Sequence, residues 1–129
     1  MSLQSPLRRV SGLGSAKDGT GHWWAQRVSA VALVPLSLWF LVSMLGLPDL
    51  GYATVRAWMA QPLDAFFAAL SVAVLAIHSY LGTIVVVEDY VHAAAAKLAA
   101  MLTLRFLHVL AGGAGIFAIL YLAFGTMRP

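Results

Sequence analysis

Cysteine is absent from the 129 residues, and charge is scarce, with eight Lys or Arg and five Asp or Glu. The first absence excludes disulfides, thiolate nucleophiles, cysteine-ligated zinc, iron–sulfur clusters and covalently attached c-type haem. Any metal must be held by histidine or carboxylate. The second absence excludes a soluble domain. A chain of 13.8 kDa leaves much of its surface uncovered, and residues that are 61% hydrophobic, with a mean hydropathy of +0.86, cannot face water over that area. The net charge of +3 comes from scattered cations that form no basic stripe, so no nucleic-acid partner is expected. Membrane lipid is the medium this composition fits.

Three stretches carry no charge: between Arg27 and Asp49, between Asp64 and Glu88, and between Arg105 and Arg128, of 21, 23 and 22 residues. Each exceeds the roughly 20 residues a helix needs to cross about 30 Å of hydrocarbon. The charge gaps predict an all-α membrane protein with transmembrane helices over about 28–48, 65–87 and 106–126, preceded by an N-terminal segment, 1–26. That segment has no apolar core of a signal peptide. Trp23 and Trp24 before the first span, Trp58 between the first two and Tyr90 at the end of the second resemble an interfacial aromatic belt. Pro35 is placed to kink the first span. In the third, Ala111 to Gly115 is a run of small residues that either admits a close neighbour or reflects ordinary glycine enrichment in membrane helices. The run Ala93 to Ala96 favours helix, so the second helix is expected to continue past Glu88 or the third to begin early.

Six Lys or Arg (Arg8, Arg9, Lys17, Arg27, Lys97, Arg105) fall on the side of the N-terminus and the second connection, against Arg56 and Arg128 on the other. This asymmetry predicts an N-terminus in the cytoplasm, or in the mitochondrial matrix of a eukaryote, and a C-terminus on the opposite side, the periplasm in a bacterium.

Within the uncharged stretches the ionisable groups of interest are His78 and His108, and a histidine at membrane depth is a functional hypothesis by default. Counting from the flanking charges, His78 lies about 13 to 14 Å deep and His108 about 4 to 5 Å. Two ligands of one haem iron must stand nearly level, so on this count a haem held by His78 takes its second ligand from another chain. The alternative is a His78 that hydrogen-bonds a backbone carbonyl or a serine on a neighbouring helix. Gly82 shares its helical face and would leave room for a porphyrin or a packed helix.

Asp89 lies eleven residues after His78, three turns further along the same face. Acids at a helix C-terminus oppose the helix dipole, which suggests that Glu88 and Asp89 are kept for another purpose. Asp89 and Tyr90 offer an acceptor and a phenolic donor to a lipid-soluble quinone, or belong to a solvated membrane edge. Arg27 either balances a haem propionate or marks the inner boundary. His22 either joins it or stays in solvent.

Gly21-His22-Trp23-Trp24-Ala25-Gln26-Arg27, His78-Ser79-Tyr80-Leu81-Gly82 and Glu88-Asp89-Tyr90-Val91-His92 together resemble the hydrophobic membrane anchor subunit of succinate dehydrogenase, the D chain of complex II, in its alphaproteobacterial form. The resemblance runs from about Gly14 to Phe124, and its specific part is H-x-x-x-G followed seven residues later by D-Y. It implies a chain packed with a cytochrome b556-like C subunit, the pair holding an iron–sulfur subunit and a flavoprotein subunit on the bacterial inner membrane. It further implies that His78 is an axial ligand of haem b, with the other ligand from the C subunit, and that Arg27 and Gly82 lie beside the haem. Tyr90 and Asp89 are implied in ubiquinone binding; His92 stands where some relatives have a lysine. Alone, such a chain is expected to have no enzyme activity. A fumarate reductase anchor, an anchor for another dehydrogenase, and a purely structural anchor without haem are the other readings.

Overall fold

The computed structural model describes residues 16–125, with side chains from Thr20 onward. Four helices follow one another: α1, Ala16–Gly46; α2, Tyr52–Met59; α3, Pro62–Tyr90; and α4, Ala94–Phe124. Of these, α1, α3 and α4 supply spans at Thr20–Gly46, Pro62–Tyr90 and Ala94–Phe124, with mean hydropathies of 2.2, 2.1 and 2.0. The protein is therefore an all-α, three-span membrane protein. Arg8, Arg9 and Arg128, which entered the orientation count, lie outside the described residues, as does the side chain of Lys17.

The helices are longer than the charge gaps because charge does not end them. The first begins at Ala16, ahead of Arg27; α3 starts at Pro62 and runs through Glu88 and Asp89; α4 starts at Ala94 and carries Lys97 and Arg105 within it. At 1.5 Å per residue a helix of 31 residues is about 46 Å long, well over the hydrocarbon thickness, so both ends reach the headgroups, where long cationic side chains are solvated. Both expectations for the alanine run hold: the second helix passes Glu88 and the third begins early. Pro62 occupies the first turn of α3, where its missing N–H costs nothing. Pro35 lies inside α1, which continues across it as one helix.

The central helix is α3. It packs on α1 along one side and on α4 along another, while the backbones of α1 and α4 do not meet. The close approach of α4 resolves the two readings of its small residues. A Cβ on Gly112 would stand 3.1 Å from Ala76 Cβ, and one on Gly115 would stand 2.9 Å from Val72 Cγ1. Gly113 faces open space, so two of the three glycines serve the packing.

At the end where α1 finishes and α3 begins, Met59, Ala65, Ala68 and Ile119 form a buried core, with Trp39 and Trp58 against it. The Trp39 ring stacks on Trp58 at 5.8 Å and tilts against Phe67 at 5.3 Å. Trp58 is thus part of this core rather than only a belt residue. It reaches it because α2, which charge and hydropathy left unmarked, carries Val55, Trp58 and Met59 at helical spacing across that end of the bundle. Arg56 Nη2 donates to Gly125 O at 2.6 Å and closes the C-terminus of α4.

Candidate functional site

Polar side chains inside the bundle gather about midway along α3. His78 is half-buried and faces α1. Its Nδ1 lies 3.0 Å from Ser29 Oγ, and Ser29 Oγ also donates to Gln26 O at 3.0 Å. Ser29, 7% exposed, is the one buried polar residue among those described. The sequence marks this pair weakly: Gln26 and Ser29 are one turn apart at the start of the apolar part of α1 and so share a face.

The other ring nitrogen of His78 has a poor partner. Gln26 Nε2 stands 3.5 Å from His78 Nε2, a long contact, and Gln26 Oε1 is buried with no hydrogen-bond partner. The Gln26 amide rests over Gly82, where a Cβ would come within 3.3 Å of it. An orphaned buried amide oxygen costs roughly 1 to 3 kcal/mol, which makes the Gln26 amide the least satisfied polar group beside the ring.

These residues fit one axial ligand of a haem iron. Nδ1 is engaged by Ser29, so Nε2 is the nitrogen that would coordinate, and a haem there would take the place the Gln26 amide holds over Gly82. The helix-bridging alternative is met as well: Ser29 of the neighbouring α1 bonds Nδ1, and Gln26 of the same helix stands at the longer 3.5 Å from Nε2. Among the described residues no cluster of three or more His, Cys, Asp or Glu is placed to hold a metal ion.

The depth assigned to His108 is corrected by the structure. Ser79 Oγ lies 3.1 Å from His108 Nε2, and the Tyr80 and His108 rings are 5.7 Å apart, so His108 stands level with the residues next to His78. The count from Arg105 failed because that arginine lies inside α4 and not at its start. The two histidines nonetheless do not converge. His78 is turned to α1, whereas His108 meets Ser79 and Tyr80, and successive residues on a helix are about 100° apart. His108 Nδ1 donates to Leu104 O at 2.8 Å. The ring borders a groove of about 280 Å³ with Ala76, Ala111 and Gly112.

Arg27 is exposed and does not join His78; its guanidinium lies 5.5 Å from the centroid of the Trp23 ring. His22 is exposed one turn before Gln26. Asp89 and Tyr90 are exposed at the last turn of α3, Tyr90 at 78%. The turn beneath them is held by two cations or donors: Lys97 Nζ donates to Glu88 O at 2.7 Å, and His92 Nδ1 to Tyr90 O at 3.1 Å. These contacts engage carbonyls that the end of α3 leaves unpaired and keep the two side chains free to point away from the bundle.

A larger apolar groove of about 600 Å³ lies on α3 between α1 and α4, bordered by Leu36, Phe40, Ala68, Val72, Leu75 and Ile119.

The family model described as succinate dehydrogenase/fumarate reductase transmembrane subunit matches residues 1–112. The succinate dehydrogenase hydrophobic membrane anchor subunit of Paracoccus denitrificans is 34% identical over 106 residues, 82% of each chain. The subunit of the same name from Rickettsia bellii is 28% identical over 119 residues, 92% of this chain and 95% of that one. The succinate dehydrogenase membrane anchor subunit of Reclinomonas americana is 26% identical over 96 residues, 72% of this chain and 80% of that one.

Proposed function

The chain belongs to the succinate dehydrogenase/fumarate reductase transmembrane subunit family, as a membrane anchor subunit of succinate dehydrogenase, and on that footing we propose that it supplies one axial haem b ligand and part of a ubiquinone-reduction site. It is a multi-pass protein of the bacterial inner membrane and works in a complex with other subunits. The partners in this reading are a cytochrome b556-like anchor subunit, an iron–sulfur subunit and a flavoprotein subunit. A cysteine-free chain holds no iron–sulfur cluster, so electrons from succinate reach it from elsewhere.

The observation that carries the reading is His78: a histidine at membrane depth whose Nε2 has only a 3.5 Å contact from an amide with an unpaired oxygen. The bound haem would supply a one-electron centre between the soluble subunits and the membrane. Gly82 carries no side chain beside the ring, and in this chain the Gln26 amide rests in the space that leaves. His108 is turned to another face of α3 and would not share an iron with His78, which supports a second ligand from the partner anchor subunit. Arg27, exposed and level with His78 between Gln26 and Ser29, would be able to leave Trp23 for a propionate.

Reduction of ubiquinone consumes two electrons and two protons. The exposed Tyr90 phenol donates a hydrogen bond to a quinone carbonyl oxygen, and the adjacent Asp89 carboxylate accepts and passes on a proton. The charge asymmetry places this end of α3 at the cytoplasmic membrane edge, where protons are supplied from water.

Changing His78 to Leu in the complex expressed with its partner subunits is expected to abolish or alter the b-type haem spectrum. An unchanged spectrum and midpoint potential would sink the ligand assignment and leave the chain a structural anchor.

A further inference from the structure

We propose that Ser29 is a positioning residue for His78, fixing the tautomer in which Nδ1 carries the proton and Nε2 carries the lone pair; this rests on the reading of His78 as a haem ligand. The hydroxyl has one hydrogen. Gln26 O, a carbonyl, only accepts, so the 3.0 Å contact from Ser29 Oγ is satisfied only if the hydroxyl donates. With that hydrogen used, the oxygen offers lone pairs to whatever else it meets. His78 Nδ1, also 3.0 Å away, must then be the donor. The direction runs one way, from imidazole N–H to hydroxyl to the Gln26 carbonyl on the neighbouring helix.

The neutral ring has one N–H, so its assignment to Nδ1 leaves Nε2 as the basic nitrogen. That nitrogen faces the Gln26 amide, whose N–H is the one donor it meets. The chain of two bonds also orients the ring plane, because Ser29 is buried and its backbone is fixed within α1. An acceptor on Nδ1–H makes the imidazole more basic at Nε2 and so favours the more positive oxidation state of a bound metal. No other described side chain stands at hydrogen-bond distance from Nδ1, so Ser29 alone performs this task.

Two measurements test it. The first needs no haem: in the assembled complex from haem-deficient cells, with 15N-labelled histidine, the His78 signals should show Nδ1 protonated and Nε2 unprotonated. An Nε2–H tautomer there overturns the proposal whatever the haem does. The second uses the haem-loaded complex. Ser29→Ala and Ser29→Cys, which remove or weaken the acceptor, should raise the haem midpoint potential and weaken haem retention about 10-fold, and Ser29→Thr, which keeps the hydroxyl, should restore both. The cysteine variant keeps the side-chain size should the alanine complex fail to assemble. Unchanged potential and retention in the alanine and cysteine variants, with the haem still lost on His78→Leu, overturns the role of Ser29 while the ligand reading stands. Loss of assembly in every variant, threonine included, also overturns it, since the residue is then structural.

Discussion

At the α2 end of the bundle, aromatic rings close the three spans together, while around the middle and the α3–α4 turn the polar side chains are left half-made. Trp39 and Trp58 stack against the core of Met59 and Ala68, Phe67 tilts against Trp39, and Arg56 ties α2 to the carbonyl of Gly125 that caps α4. By contrast, Gln26 holds a buried oxygen with no partner among the described residues, Asp89 and Tyr90 project outward, and Arg27 is exposed over the Trp23 ring. Proteins satisfy their buried polar groups unless a site requires otherwise. One end is held by ring packing and a capping arginine; the other holds polar groups that the described residues leave without partners.

Substitutions at the closed end should cost stability and leave the chemistry intact, and those at the open end should do the reverse. The largest effect is expected for Trp39→Ala. It removes a half-buried ring and three aromatic contacts, at about 2 to 3 kcal/mol, below the value for a fully buried tryptophan. Thermal unfolding of the detergent-solubilised complex should show it, with the haem spectrum of the folded fraction unchanged. A spectral change would mean that the two ends are not separate.

Next comes Tyr90→Phe, which deletes a phenolic hydroxyl that makes no hydrogen bond within the described residues. Its removal is expected to slow quinone reduction about 10-fold, as for one lost hydrogen bond of about 1.4 kcal/mol, with unfolding and succinate oxidation by a soluble acceptor near normal. Equal loss of both activities would assign Tyr90 to assembly instead.

Arg56→Met keeps the apolar stem and loses the 2.6 Å bond to Gly125 O. About 1 kcal/mol of stability should go with it, since the guanidinium is only half-buried and partly screened. Amide exchange at the C-terminus of α4 should rise while that at Val91 does not.

The smallest effect belongs to Asp49, outside the spans. Hydrogen bonds from Thr54 first, and then from the Gly51 N–H at 2.7 Å, hold its carboxyl below the ordinary value of 3.8. A depressed folded pKa contributes stability that is present above the ordinary value and lost as pH falls through the folded one. The start of α2 should therefore loosen only in acid below about pH 4, and Asp49→Asn should remove that dependence, read from the Gly51 amide shift. A transition near neutral pH would require another group.

Three spans were legible because hydrophobic length is a one-dimensional property of a chain. Their ends were not, since Arg105 and Glu88 stop a count of uncharged residues without stopping a helix that extends into the headgroups. The same error displaced His108, whose position depends on where α4 starts. His78, Gly82, Asp89 and Tyr90 could be singled out by residue type and spacing. Ser29 and Gln26 could not, because their meeting with His78 spans 49 and 52 residues and depends on how α1 is rotated against α3, which no local pattern encodes. The small α2 was hidden by its brevity, although the i, i+3, i+4 spacing of Val55, Trp58 and Met59 was there to be read.

The separation of the α1 and α4 backbones on two sides of α3 bears on epistasis. A lesion in the α1–α3 seam, such as Ser29→Ala, and one in the α3–α4 seam, such as His108→Ala, share no partner, and their energetic effects should add. Such a chain can accumulate changes along one seam without altering what the other tolerates, so the two faces of α3 are free to evolve at different rates.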